Sequence, residues 1–157
     1  MRYTLRSGAH ALGYTGLELP PPAPNMRSWH FIPLPAFADV APIFAALPAA
    51  IAESEDVIPT QGELEEIPEE ERAERMRELM LGDPRMARFL ALTEQLDQLE
   101  LALLDDADLA LTTRTLGVTE LDIPAAAFRE VLTSIDASAD LSAAREPPFY
   151  LLVAGIP

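Results

Sequence analysis

Few side chains in this chain could move a proton or hold a metal: it has two histidines, His10 and His30, and no cysteine. A two-histidine, one-carboxylate metal site would need His10, His30 and Asp39 to converge. No His-x-x-x-His or Glu-x-x-His pair on a helix enforces that. The run Asp105-Asp106-Ala107-Asp108 approaches a calcium loop but fails its pattern. Counted from Asp106, Ala110 and Leu111 stand at the fifth and sixth places and Gly117 at the twelfth, where acid, glycine and glutamate are required. It therefore reads as a solvated turn. Gly13-Tyr14-Thr15-Gly16 has no following helix or lysine to make a phosphate cradle, and no Gly-x-Ser-x-Gly elbow is present. Paired carboxylates could act as acid and base, but acids are so abundant that their pairing carries no signal. No catalytic residue, metal or cofactor is expected.

Charge is the feature with a physical direction. The 157 residues carry a net charge of −15, with 26 acids against 11 basic residues. Every basic residue is arginine, and lysine is missing, a skew that a GC-rich genome would produce. Residues 53–83 hold 12 acids against Arg72, Arg75 and Arg77, a net −9, whereas residues 1–52 come to +1 and 84–157 to −7. Such a field repels phosphate backbones and anionic membranes. Nucleic acid and membrane are thereby disfavoured, and a basic protein is the natural partner.

Two surfaces are candidates for that partner. Glu66, Glu70, Glu74 and Glu78 recur every four residues and would stack in one row on a helix. Like charges at that spacing cost roughly 0.2–0.5 kcal/mol per pair. Neutralisation by Arg72, Arg75 and Arg77 is the competing reading, because Glu71 lies four before Arg75, and Glu69 and Glu74 each lie three before an arginine. The other candidate is the strip around Arg27 and Trp29, which follows the stiff Pro20-Pro21-Pro22-Ala23-Pro24 segment. Tryptophan and arginine are enriched at interface hot spots. As the only tryptophan, Trp29 is more often a core anchor than a partner contact.

The elements that must carry these residues form an α+β pattern in a single acidic domain, residues 1–157. Tyr3 and Leu5 alternate with Thr4 and Arg6, then Ser7 to His10 turns into a second strand, an N-terminal hairpin. Gly13 and Gly16 inside that strand signal a bulge or a close backbone approach. Phe37, Val40, Phe44, Leu47 and Ile51 have helical spacing, with a short turn near 36–40 and a helix from about Pro42. The stretch from Phe31 to Ala52 is apolar except for Asp39, but Pro33, Pro35, Pro42 and Pro48 argue against a membrane span and for core. Residues 53–67 read as loop. Pro68 and Glu69 to Glu71 open a helix whose stripe is Ala73, Met76 and Met80, stopped by Gly82. Asp83-Pro84 opens the next, running to about Asp97.

Alternation around Asp105 to Asp108 predicts a central hairpin at about 99–121. A helix over Pro124–Ile135 should bury Phe128, Val131, Leu132 and Ile135. A C-terminal strand at about 148–154 completes an antiparallel sheet packed with three or four helices. The start of the chain lacks the apolar run of a secretory signal, and the absence of cysteine suits a reducing compartment. A cytoplasmic location is expected.

The function expected is that of a non-catalytic intracellular binding protein, of immunity-protein or antitoxin type, presenting an acidic helical surface to a basic partner. An accessory subunit of a larger assembly, with 31–52 as interface, is the alternative. A carboxylate-dependent enzyme, with His30 in a deep pocket of raised-pKa acids, is the third reading.

Overall fold

The computed structural model describes residues 1–157. In chain order the elements are β1 (Thr4–Ser7), β2 (His10–Leu19), β3 (Met26–Pro33), a 3-10 turn (Pro35–Asp39), α1 (Ala41–Glu55), α2 (Gln61–Glu65), α3 (Glu69–Gly82), α4 (Pro84–Gln98), β4 (Leu101–Leu104), β5 (Thr115–Leu121), α5 (Ala125–Ile135), a second 3-10 turn (Ser142–Ala144) and β6 (Phe149–Gly155). The class is α+β, with one six-stranded antiparallel sheet and four long helices. Two compact units divide the backbone: residues 1–44 with 99–157, and residues 45–98.

The first unit holds the sheet, in the order β4-β1-β2-β3-β6-β5. β1 and β2 form the N-terminal hairpin, and Gly8 supplies the positive φ, +55°, that its tight turn needs. At Gly13 the backbone lies against the ring of Phe31, where a Cβ would collide. The register of β2 against β3 slips between Thr15 and Glu18, a bulge that contains Gly16. Both glycines mark what their place in a strand implied.

Alternation along β3 and β6 sends side chains to two faces. On one, Phe37 meets Phe31 and Tyr150 edge-to-face at 5.2 and 5.3 Å, and Phe44 stacks on Phe37 at 6.0 Å. On the other, α5 lays Phe128 and Leu132 into a cluster with Phe149 and Ala144. Only two of the four apolar residues expected to face inward do so. Val131 and Ile135 are exposed, because a helix of three turns lying on a sheet buries one narrow stripe. In the 31–52 stretch, Phe31, Phe37, Val40, Phe44 and Ala50 are buried, whereas Leu34 and Ile51 are exposed and Ile32, Ile43 and Leu47 are half-buried.

The central hairpin is the main correction. β4 pairs with β1 and β5 pairs with β6, at opposite edges of the sheet. The acidic turn does fold back, since Leu103 O accepts the Leu111 amide at 2.8 Å and a single bridge joins Leu104 to Ala110. The chain then leaves for the far edge. Alternation identifies a strand with two faces and says nothing about its neighbour.

The second unit is helical. Residues 53–67, expected as loop, contain the end of α1 and the short α2. Thr60 and Glu63 cap α2 reciprocally, with the Glu63 amide donating to Thr60 Oγ1 and the Thr60 amide donating to Glu63 Oε2. Pro48 lies inside α1 and does not end it. Asp83 separates α3 from α4 and accepts the Arg85 amide at 2.8 Å, the cap its Asp-Pro sequence implies. α3 has no buried residue, and α4 buries Met86 alone. No helix is long and apolar enough to cross a membrane.

Candidate functional site

The acidic row is shorter than its spacing predicts. Pro68 is extended, with ψ 137°, so the helix starts at Glu69, and Glu66 caps the end of α2 instead. Glu66 therefore leaves the row. Glu70, Glu74 and Glu78 remain, all exposed, and with Glu71 and Arg75 they line a shallow groove of about 270 Å³. Neutralisation by the neighbouring arginines is largely unrealised. Arg75 reaches Glu78 at 3.3 Å, whereas Arg72 donates to the carbonyl of Ile67. Of the glutamates on α3, Glu78 alone is ion-paired. Leu81, 68% exposed, lies three residues past Glu78 and seven past Glu74, on the same side of the helix.

In the Arg27–Trp29 strip, Arg27 is half-buried and Trp29 is in the core. Trp29 is fully buried, meets Tyr3 edge-to-face at 5.6 Å, and its indole N–H finds no acceptor. Arg27 lies 4.8 Å over the Trp29 ring and forks onto Glu18 with two bonds of 2.8 Å. That pairing holds the Glu18 carboxyl below its ordinary range and the guanidinium above its own. Two residues apart on β3, Arg27 and Trp29 share a face of the sheet, and Arg27 lies over the buried indole. Trp29 thus takes the core-anchor place, and Arg27 is paired with Glu18 within the chain.

Of the histidines, His10 is exposed at the β1–β2 turn, while His30 is 4% exposed. The His30 ring stands against Phe128 at 4.9 Å, and burial lowers its pKa, which favours the neutral imidazole. It opens onto a cleft of about 400 Å³ in the first unit, whose wall includes Arg2, Tyr14, Gly16, Asp136, Ser138 and Asp140. Arg2 stacks on Tyr14 at 3.9 Å and forms no ion pair. Asp136 Oδ1 accepts from the Ser138 hydroxyl and amide at 2.7 and 2.9 Å, and Asp140 Oδ1 accepts from the Ser142 amide at 2.9 Å. These bonds keep both carboxyls below the ordinary range. The raised carboxyl pKa values that the carboxylate-enzyme reading expects are not found at these two acids. No three acids or histidines gather where a metal ion could be held.

No family model, curated protein or solved structure matches this chain.

Sequence reasoning passed over Arg2, Asp136 and Asp140 because more than a hundred residues separate the two walls of the cleft. Gly16 was the one local hint, a glycine where a strand should carry a side chain.

Proposed function

We propose that the chain is a non-catalytic intracellular binding protein, of immunity-protein or antitoxin type, that offers the acidic side of α3 to a basic protein. One observation carries this reading: Glu70 and Glu74 stand exposed in a row on α3 without cationic partners, on a helix that buries nothing. A row of like charges opposes its own helix, and a basic partner would relieve that opposition. The field would also speed encounter with such a partner. Leu81 at the end of the row would add apolar area to the contact.

The test is affinity capture from cells of the source organism with the wild-type chain and with the triple variant Glu70→Gln, Glu74→Gln, Glu78→Gln. The captured protein should be basic, should elute between about 0.1 and 0.5 M salt as screening shortens to a few ångströms, and should be lost with the variant. Retention of an acidic or neutral protein by both chains would reject the reading.

An accessory-subunit role is the second reading. Ile51, Ile58, Leu81 and Leu90 favour it, being exposed apolar side chains of residues 45–98. Light scattering separates the two, since a monomer at high concentration argues against a self-assembling subunit.

A further inference from the structure

A buried imidazole is ordinarily hydrogen-bonded, because leaving its polar atoms unmatched costs free energy. His30 is an exception. Neither ring nitrogen hydrogen-bonds to the protein, yet His30 is not among the sealed, unpartnered groups, which are Arg6 Nε and Trp29 Nε1. Its polar edge is therefore open to the cleft. Gly16 leaves that opening, since a Cβ there would lie 3.4 Å from His30 Nδ1.

The cleft around this edge has charges of both signs. Arg2 contributes an unpaired guanidinium, and Asp136 and Asp140 each keep Oδ2 free after binding local serines through Oδ1. Arg2 lies beyond ion-pair distance of both carboxylates. Leu17, Ile32 and Leu132 add apolar wall to the cleft. An anion alone would sit beside two carboxylates in a protein of charge −15, and an amine alone would leave Arg2 unmatched.

We infer that the cleft binds a small zwitterion of the amino-acid type, its carboxylate on Arg2, its ammonium on Asp136 and Asp140, and a polar group against the open edge of His30. The volume of about 400 Å³ suits an amino acid or a dipeptide. This site is independent of the acidic side of α3, and each can fail without the other.

The test titrates the full chain with the twenty amino acids at up to about 10 mM, a range set by millimolar small-ligand affinities, while following the ring resonances of His30. At least one amino acid should shift them saturably. Its decarboxylated amine and its deaminated acid should each bind about tenfold more weakly or worse, each having lost one charge pair. Gly16→Val, which fills the opening over His30, should abolish the shift while the unfolding midpoint stays near wild type. Arg2→Gln, a change at an exposed residue, provides a second variant and should weaken binding about tenfold. If no amino acid moves the His30 resonances, or if the amine or the acid binds as well as its parent, the assignment is overturned.

Discussion

The imidazole of His30 meets the ring of Phe128 edge-to-face, 4.9 Å between centroids and 83° between planes, so that β3 and α5 hold a titratable group inside their shared core. The folded chain disfavours the imidazolium, and burial is the cause. The unfolded chain has no such bias, so it takes up the proton first as pH falls below about 6.5. Stability is therefore full above that pH and declines below it, at no more than about 1.4 kcal/mol per pH unit for one proton, until the folded ring also protonates. Denaturation midpoints at pH 7 and pH 5 should show the decline in the wild type, and His30→Phe should lack this component. Equal pH dependence in both chains would refute the assignment.

Gly13 faces the Phe31 ring with no room for a Cβ. Gly13→Ala must displace the Phe31 ring and the Ile32 carbonyl, and overpacking of this kind costs about 1–3 kcal/mol. Gly16→Ala meets only ordinary contacts and should cost much less. Urea denaturation of the two variants side by side decides it, and equal costs would contradict the packing described.

Leu132 is 1% exposed in the cluster that α5 forms with Phe149. Leu132→Ala should destabilise the chain by about 2–5 kcal/mol, the usual cost of a buried leucine cavity. Val131→Ala, one residue away on the exposed side, should cost under about 1 kcal/mol. Thermal unfolding of both variants reads the contrast.

Repulsion along Glu70, Glu74 and Glu78 is screened by salt. Added salt should raise the helical content or the unfolding midpoint of the chain. In Glu70→Gln, Glu74→Gln that salt response should shrink by up to about 0.5 kcal/mol per like-charged pair removed. Circular dichroism across a salt series measures it, and an unchanged response would mean that the row is already neutralised.

Much of the secondary structure was legible because its causes are local. Gly8 supplies the turn of the first hairpin, Asp83 caps a helix that Pro84 opens, and Phe128 and Leu132 recur at helical spacing. The acidic row was half legible. Its spacing was visible, but the extended conformation of Pro68 removed Glu66 from it. Trp29 read more as a core anchor than a contact, and its burial in the middle of β3, where both faces are packed, puts it in the core.

By itself the sequence determined the α+β class, the concentration of charge in residues 53–83 and the identity of most strands and helices. Periodicity, capping and net charge act over a few residues, and the chain writes them directly. Only the tertiary structure decided that β4 and β5 lie at opposite sheet edges and that Arg27 is bound to Glu18. It alone brought Arg2, His30 and Asp136 around one cleft. Those facts depend on which strand edges and helix faces meet, and such pairings join residues too far apart in sequence for any local pattern to record.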